Sequence, residues 1–401
     1  MKSYKLMIFI LMSMVSQNIY SHDFIGYDKN RHAIYYKILN STEVTVCFSG
    51  QYYDSANEYS GDIEIPETVT YNDKTYTVIS IDKEAFSGCN KLKSIVIPNS
   101  ITDIGEKAFY CCDDLQTVSI GTGVKHIGKK AFEGVSEYDN RGNLKTSRVI
   151  IKDIAAWCNI DFEDNPLWFA KRIYSDENTW LPHLTIPEGV TKISSTAFAR
   201  ADITQLVLPN SLKIIEDYAF SGHGCSTIII PNNVETIGEQ AFCGTAMSSI
   251  VIGKNVKSIG DRAFITGLIP LEKVTSNIKV PFRISDNVFT YYNDVILIVP
   301  DDTVEEYKKT YAWNQFGAIF SESDYLGVES PESTIQIIQG QEGTIDINGI
   351  LADTCVKVYS SDGKLLCSEM SKNGHVQLSL KHHTEHVIIV KIGEKIVKVV
   401  L

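Results

Sequence analysis

Apolar residues recur along this chain with a fixed period of 22 or 23 positions. The clearest mark of the period is an Ala-Phe dipeptide, which begins at Ala85, Ala108, Ala131, Ala197, Ala219, Ala241 and Ala263. The steps between these dipeptides are 23, 23, 66, 22, 22 and 22 residues, and 66 is three times 22. A fixed period of this length predicts a solenoid, in which each unit packs only against its neighbours.

The unit of residues 92–109 shows what each repeat is predicted to contain. It opens with Leu-Lys-Ser-Ile-Val-Ile, in which apolar and outward positions alternate as in a half-buried strand. Pro98 lacks a backbone N–H and should end that strand. Ile101 and Ile104 then point inward, and Ala108-Phe109 fill the core from a turn or a short helix. About seven apolar side chains per unit, at about 1.5–3 kcal/mol each, are enough to hold neighbouring units together.

A glycine follows the second inward isoleucine of the turn in four units, at Gly105, Gly128, Gly238 and Gly260. A left-handed turn would account for glycine at this position. The equivalent residue is Asp82, Ser194 or Glu216 in three other units, however, so a left-handed conformation is not required there.

The periodic segment, residues 77–325, is interrupted by an insert over residues 133–185. Residues 22–76 precede it and alternate as strands, with a hairpin turn at 72–74, which predicts an N-terminal β cap. Inside the insert, Asp153 should cap a helix that ends at Cys158. Asn165-Pro166, followed by apolar residues through Tyr174, predicts a second helix. Because 66 residues equal three periods, the insert is compatible with an unbroken register.

The end of the chain has a different character. A closing helix is predicted over residues 303–313, with Thr303 and Glu306 forming a capping box. Seven short strand signals separated by glycine-containing turns follow in residues 326–401. The predicted fold is therefore a leucine-rich-repeat solenoid of short strands, turns and short helices, followed by a small all-β sandwich.

Charge and the N-terminus narrow the class of protein. The formal net charge of −12 and the absence of a basic run argue against nucleic acid and anionic lipid as partners. Residues 1–21 combine two lysines with an apolar run and are predicted to be a secretory signal peptide. No other stretch approaches the length of about 20 apolar residues that would span a bilayer.

Nine cysteines in an exported chain raise the question of disulfides. Several of them, including Cys89 and Cys112, fall on inward positions of the repeat, where a small buried hydrophobic residue is the simpler interpretation. A Cys89–Cys111 bridge and a Cys355–Cys367 bridge are the alternatives. Cys225 also follows His223 closely, but its core position argues against use as a nucleophile.

The quoted units, with their Ile-Pro, Ile-Gly and Ala-Phe marks, resemble the BspA-type leucine-rich repeats of bacterial surface proteins. The resemblance extends over about residues 77–320. The segment 358–365 and the closing strands are similar to the C-terminal sorting domains of the type IX secretion pathway. These resemblances imply an exported protein and, for some members, adhesion to host matrix or to other bacteria. They imply no site residues, because the family has no fixed binding motif.

Few residues suggest chemistry. His382, His383 and His386 have a spacing that suits a transition metal, but a solvated hairpin loop is the simpler interpretation. Glu163 and Asp164 beside Trp168 would suit sugar chemistry, although a helix cap next to core aromatic residues explains them better. Recognised nucleophile, phosphate-loop and zinc-protease motifs are absent from the sequence. We therefore predict no catalytic residue, no cofactor and no metal.

Two surfaces are candidates for a partner. One is the set of uncharged outward strand positions, Val96, Gln205, Val207, Thr227, Ile229, Ser249 and Val251. Its apolar members would form a ladder in water, although β-branched residues also favour strands for their own sake. The other surface is the insert around Trp168 and Trp180.

The function that this pattern favours is binding without catalysis. We interpret the chain as an exported repeat protein that binds a protein or a glycan at the cell surface. The alternatives are a purely structural surface spacer and a carbohydrate-active enzyme with its site in the insert.

Overall fold

The computed structural model of the protein describes residues 22–48, 59–135, 147–167, 170–267, 269–328, 336–339, 344–348, 354–360, 364–372, 375–380, 387–392 and 395–400. The predicted signal peptide lies outside these residues. The chain forms two compact units, the first ending at Glu322 and the second beginning at Ser323. Within the described residues, no helix has the length and apolar character needed to cross a membrane.

The first unit consists almost entirely of short strands. Those before the first Ala-Phe dipeptide are β1 (Phe24–Tyr27), β2 (Ala33–Ile38), β3 (Glu43–Cys47), β4 (Ser60–Glu64), β5 (Thr68–Tyr71) and β6 (Lys74–Ile81). The first repeats and the insert contribute β7 (Lys91–Val96), β8 (Asp103–Ile104), β9 (Thr117–Ile120), β10 (His126–Ile127), β11 (Arg148–Ile151), β12 (Asp161–Phe162) and β13 (Arg172–Tyr174). The predicted hairpin turn is confirmed, because β5 and β6 pair antiparallel across Asn72 and Asp73.

The later repeats contribute eleven more strands. They are β14 (His183–Thr185), β15 (Lys192–Ile193), β16 (Gln205–Val207), β17 (Ile214–Ile215), β18 (Thr227–Ile229), β19 (Thr236–Ile237), β20 (Ser249–Ile252), β21 (Ser258–Ile259), β22 (Lys273–Ser276), β23 (Ile296–Val299) and β24 (Ala318–Ser321). The helices are α1 (Ile154–Cys158), α2 (Val304–Lys309) and α3 (Glu322–Val328), with 3₁₀ turns at Tyr292–Asp294 and Trp313–Gln315.

Each repeat contributes one longer strand and one two-residue strand, which pair in parallel with their equivalents in neighbouring repeats. The longer strands form the series β4-β7-β9-β11-β13, β14-β16 and β18-β20-β22-β23-β24. We call the outer side of these strands the strand face. The two-residue strands form β8-β10-β12 and β15-β17-β19-β21. Strand registers such as Ile228 opposite Ile250 place equivalent repeat positions side by side, as the sequence period predicts.

The phenylalanines of the Ala-Phe dipeptides form two stacked columns in the core. Neighbouring ring centroids lie 4.9–5.2 Å apart from Phe86 to Phe132 and 5.3–5.7 Å apart from Phe198 to Phe264. The backbone follows the same column, because the N–H of each regular phenylalanine donates to the alanine carbonyl of the next repeat, as in Phe220 to Ala241 at 2.8 Å. Phe289 extends the second column at 5.3 Å from Phe264, in a repeat whose Val-Phe dipeptide the Ala-Phe pattern did not reveal.

The left-handed residues of the turn are not the glycines of the Ile-Gly pairs. The residue before each Ala-Phe dipeptide has a positive φ of 52–60°, at Glu84, Lys107, Lys130, Thr196, Tyr218, Gln240 and Arg262. Glycine is needed at Gly105 and Gly238 for a different reason, since a Cβ there would lie 2.5 Å from a backbone nitrogen of the preceding repeat. The close approach of neighbouring repeats, and not a positive φ, explains these glycines.

The insert departs from the prediction at two points. Asp153 caps α1 as expected, accepting a hydrogen bond from the Ala156 N–H at 3.0 Å. The predicted second helix is wrong, because the Asn165 side chain accepts the Leu167 N–H in a tight turn and residues 172–174 form strand β13. The ladder of paired strands is also interrupted, because strand pairing stops at β12 and β13 before the next repeats begin.

The helix α1 joins the two halves of the repeat stack through a side chain. The indole N–H of Trp157 donates to the Ala197 carbonyl at 2.8 Å. In the regular repeats this carbonyl position receives the backbone N–H of the preceding phenylalanine. The tryptophan therefore replaces a missing main-chain donor at the start of the second phenylalanine column.

The closing segment is shorter than predicted. Helix α2 ends at Lys309 and is followed by a 3₁₀ turn and by strand β24. The predicted capping box is wrong, because the Thr303 hydroxyl donates to the Pro300 carbonyl at 2.6 Å instead of capping the helix. The end of the core is held by Tyr307, whose hydroxyl lies 2.6 Å from that of Ser276.

All nine cysteines lie in described residues and none of them forms a disulfide, so the structure contains neither of the two bridges considered from the sequence. Burial raises the pKa of Cys158 and Cys225 to about 12, which keeps these thiols protonated and chemically inert. The interpretation of the buried cysteines as small core residues agrees with this arrangement.

The described residues of the second unit form seven antiparallel strands. They are β25 (Gln336–Gln339), β26 (Thr344–Asn348), β27 (Cys355–Ser360), β28 (Leu365–Met370), β29 (His375–Ser379), β30 (Val387–Ile392) and β31 (Lys395–Val400). They form the sheets β25-β26-β29 and β28-β27-β30-β31. Buried residues of both sheets, such as Ile347 and Val358, share one apolar cluster, and the two small antiparallel sheets agree in part with the predicted sandwich.

Candidate functional site

The uncharged outward positions lie on the strand face as the register predicts. We call Gln205, Val207, Thr227, Ile229, Ser249 and Val251 the strand strip. Their neighbours Ile228 and Ile250 are buried in the core, so the alternating side chains must point outward. Val207 is 56% exposed and Ile229 is 61% exposed, while Val251 is half-buried.

In the repeats before the insert, the equivalent outward positions are covered. Val96 is half-buried, and the residues that follow it in register, Ser119 and Ile150, are only 5% and 4% exposed. The open part of the column is therefore restricted to the repeats after the insert. Val96 does not belong to the exposed surface with Val207 and Ile229.

The strands that carry the strand strip do not form one continuous hydrogen-bonded sheet. β14 pairs with β16 and β18 pairs with β20, but β16 and β18 exchange no strand hydrogen bonds. Val207 and Ile229 thus project from strands that lie in consecutive repeats without being directly paired. The apolar ladder exists as a surface, but the hydrogen-bonded sheet beneath it is not continuous.

Ion pairs are concentrated on the opposite side of the repeats. Lys192 contacts Glu216 at 3.1 Å and Lys257 contacts Glu235 at 2.7 Å, both beside the two-residue strands. The Lys257 ammonium lowers the pKa of the Glu235 carboxyl. The strand strip contains none of these charges, so a partner would meet there a surface of methyl, hydroxyl and amide groups.

A second cluster lies on the strand face within the insert. Arg148 and Arg172 are register partners on β11 and β13, and both point outward because Val149 and Ile173 are buried. The Arg148 guanidinium lies 5.7 Å from the Tyr174 ring centroid, and that of Arg172 lies 5.0 Å from the Trp180 ring centroid. We call these four residues the arginine–aromatic cluster.

Only part of the insert surface that we predicted is described. Trp180 is 38% exposed and belongs to the cluster, whereas Trp168 lies outside the described residues. The arginines were not recognised from the sequence. Their spacing of 24 residues became meaningful only when β11 and β13 were seen to pair.

The remaining chemical candidates have structural roles where they are described. Glu163 accepts the Lys129 N–H at 2.9 Å, and Asp164 accepts the Asn165 N–H at 2.9 Å, so both carboxylates stabilise turns. His223 is buried, and its Nδ1 accepts the Cys225 N–H at 3.1 Å. Desolvation lowers the pKa of His223 to about 4, which keeps the imidazole neutral.

Metal ligation has no support within the described part of the chain. Its His, Cys, Asp and Glu residues form no group of three that could hold an ion. His382, His383 and His386 lie outside the described residues, so their interpretation as part of a solvated hairpin loop stays a prediction from the sequence.

Comparison with protein families agrees with this architecture. A model of the BspA type leucine rich repeat region matches six copies over residues 61–160 and 172–296, more than half of the chain. The chain belongs to the BspA-type leucine-rich repeat family. The matched segments end before the second unit, which the family model does not cover. No functionally curated protein matches the sequence.

Solved structures of bacterial leucine-rich repeat proteins are distantly similar. A leucine rich cell surface protein from Faecalibacterium prausnitzii A2-165 is 19% identical, with a TM-score of 0.33, over 78% of this chain and 99% of that chain. The pneumococcal vaccine antigen PcpA is 19% identical, with a TM-score of 0.39, over 75% and 99% of the two chains. A leucine-rich repeat protein from Bacteroides ovatus is 21% identical, with a TM-score of 0.33, over 75% and 89%.

Proposed function

We propose that this protein is exported and binds a protein partner at the cell surface through the strand strip, without catalysis. The observation that carries the proposal is the exposure of Val207 and Ile229 at equivalent positions of two consecutive repeats on one face. An exposed β-branched side chain adds little to folding beyond its strand propensity, whereas burial against a partner contributes about 1.5–3 kcal/mol.

The chemistry of the strand strip favours a protein over a glycan. Charged residues are depleted at the core of protein interfaces, and the strip has none. Glycan sites depend on placed polar groups and aromatic walls, and the six residues of the strip include no aromatic ring. A flat row of methyl groups flanked by hydroxyl and amide groups suits an apolar protein surface with a hydrogen-bonding margin.

Export is proposed on separate grounds. The sequence of residues 1–21 has the charge and apolar run of a signal peptide. Membership of a family of bacterial surface repeats supports the same location. The second unit is proposed to act in sorting or anchoring, as its resemblance to secretion-sorting domains suggests.

The test is a binding array of purified extracellular-matrix proteins, bacterial surface proteins and glycans, probed with the chain from His22 onward. We expect saturable binding to protein spots. Ile229→Lys should weaken that binding by about 10–100-fold, the equivalent of the lost burial of one isoleucine. The matched control is Val280→Lys, which adds the same charge at an 81% exposed position after β22.

Two results would contradict the proposal. One is binding to glycan spots alone. The other is unchanged binding by Ile229→Lys in a variant that unfolds at the wild-type temperature. A purely structural spacer would bind no spot saturably.

A further inference from the structure

The arginine–aromatic cluster places two like charges side by side on the sheet. Arg148 and Arg172 are register partners on adjacent parallel strands, which run about 4.8 Å apart. Like charges at such positions destabilise a sheet. Only seven arginines occur in the chain, and the overall charge is −12, so this pairing does not follow from composition.

The protein itself neutralises the pair poorly. Within the described residues, the carboxylate near Arg172 is that of Asp202, whose Oδ2 lies 3.8 Å from Nε, too far for a hydrogen bond. Arg148 donates to the Thr117 hydroxyl at 3.1 Å and to the Glu177 backbone carbonyl at 2.6 Å. Both acceptors are neutral, so the charge of Arg148 has no counter-ion at contact distance there.

Both guanidinium groups are nevertheless held in place. Arg148 stacks on Tyr174 and Arg172 stacks on Trp180, and the backbones of Tyr174 and Trp180 bridge each other. The position of the guanidinium over a ring restricts its orientation, and the three N–H groups of Arg148 beyond the two that bond Thr117 and Glu177 stay available as donors. A guanidinium held in this way binds a carboxylate through two parallel bonds.

We propose that the arginine–aromatic cluster binds carboxylate side chains of an acidic segment of a protein partner. Arg, Trp and Tyr are the residue types that contribute most to protein interfaces. Side chains two residues apart on an extended segment lie on one face about 6.6 Å apart, a separation that two neighbouring arginine side chains can match. A sugar ring is less suited, because the guanidinium groups already cover one face of each aromatic ring.

The inference deepens the proposed function, on which it rests for the protein nature of the partner. Asp202, the neighbour of Arg172, precedes strand β16 of the strand strip by three residues, so the cluster lies beside the strip. A partner that places apolar residues on Val207 and Ile229 would present acidic residues to Arg172 and Arg148.

The probe is a fluorescent hexapeptide with alternating glutamate and serine, measured by anisotropy at about 20 mM salt, where exposed charges are weakly screened. A peptide with glutamine in place of glutamate and an oligo-uronate of equal charge are the comparators. We expect saturable binding of the glutamate peptide alone. Arg172→Gln and Arg148→Gln should each weaken it about tenfold, as the loss of a charge-assisted hydrogen bond does.

Matched variants separate this site from the strand strip. Lys93→Gln removes one positive charge from an exposed position of β7 and should leave peptide affinity within about twofold. Trp180→Leu keeps both charges but removes one stacking ring, and should weaken binding less than Arg172→Gln. Ile229→Lys should leave the peptide bound, so a failure of the strip would be recognised separately.

Three results would overturn the inference. The first is no saturable binding of the glutamate peptide to the wild-type chain. The second is equal weakening by Lys93→Gln and Arg172→Gln, which would mean nonspecific attraction. The third is tighter binding of the oligo-uronate, which would assign the cluster to an acidic glycan. Thermal unfolding at the wild-type temperature confirms that each variant is folded.

Discussion

Two apolar columns run along the repeats after the insert with the same 22-residue period. One lies in the core and the other faces solvent. The phenylalanine column from Phe198 to Phe264 is fully buried, with neighbouring rings 5.3–5.7 Å apart. In the strand strip, Val207 and Ile229 are more than half exposed. Both columns look alike as patterns of apolar residues. The alternation of side chains along each strand turns the strip residues outward, whereas the phenylalanines lie in turns and point into the core.

The difference assigns separate roles to the two columns. The phenylalanines stabilise the stack through ring contacts and a backbone hydrogen bond in every regular repeat. The strip residues pair with neighbouring strands through their backbones, but the side chains of Val207 and Ile229 lie mostly in solvent and are available for binding. Variants in the two columns should therefore have opposite effects, one on folding and the other on association.

The largest expected effect is the loss of one ring from the buried column. Phe220→Ala should lower the free energy of unfolding by about 3–5 kcal/mol, because it leaves a cavity between Phe198 and Phe242. Chemical unfolding followed by circular dichroism measures the change. Ile229→Ala is the control on the strip, and a loss of similar size in both variants would contradict the distinction between the columns.

His223 should make the buried column sensitive to acid. Its imidazole lies 6.2 Å and 6.1 Å from the rings of Phe220 and Phe242, and burial lowers its pKa from 6.5 to about 4. The folded state therefore favours the neutral imidazole. The contribution of His223 to the free energy of unfolding is complete above pH 6.5 and is lost as the pH falls towards 4. The loss amounts to about 3 kcal/mol.

The measurement compares unfolding at pH 7 and pH 4 for wild type and His223→Thr. Threonine is the matched replacement, because Thr245 occupies the equivalent position of the next repeat. Protonation of carboxyl groups with a lowered pKa, such as Glu235, also makes the protein less stable in acid. The informative quantity is therefore the difference between wild type and His223→Thr in the stability lost from pH 7 to pH 4. An identical acid loss in both would show that His223 does not titrate on unfolding.

The repeat core was predictable because its determinants are local and periodic. Inward isoleucines, the prolines that end strands and the Ala-Phe dipeptides each follow from alternation and spacing within about 20 residues. The outward direction of Val207 and Ile229 follows from the same alternation. Their exposure did not, since Val96 has the same register and is half-buried.

The insert was predicted less well because its determinants are distant in sequence. Trp157 supplies a hydrogen bond to a carbonyl 40 residues away, and no local pattern indicates that pairing. Residues 172–174 form a strand because β11 offers a parallel edge, which overrides the helical spacing of the apolar residues. The arginine–aromatic cluster depends on the same strand and was missed for the same reason.

Removing the indole N–H tests how the insert connects to the buried column. Trp157→Phe keeps an aromatic ring but leaves the Ala197 carbonyl without its donor. A buried acceptor left unpaired costs about 1–3 kcal/mol, so the free energy of unfolding should fall by that amount. Hydrogen exchange should show faster opening near Ala197 than in the repeats of Phe86 and Phe109. No change in either measurement would mean that the carbonyl finds another donor.

The smallest expected effect is on the stability of the strand strip itself. Ile229→Lys should change the free energy of unfolding by no more than about 0.5 kcal/mol, because the side chain is 61% exposed and an added lysine stays hydrated. Ile228→Lys, one residue earlier on the same strand, would place an unpaired charge in a site that is 1% exposed and should prevent folding. Thermal melts of the two variants compare the two faces of β18 directly. If Ile229→Lys also unfolds, the strip is part of the core and the binding proposal loses its basis. If it folds and melts like wild type, any loss of partner binding reports on the surface alone.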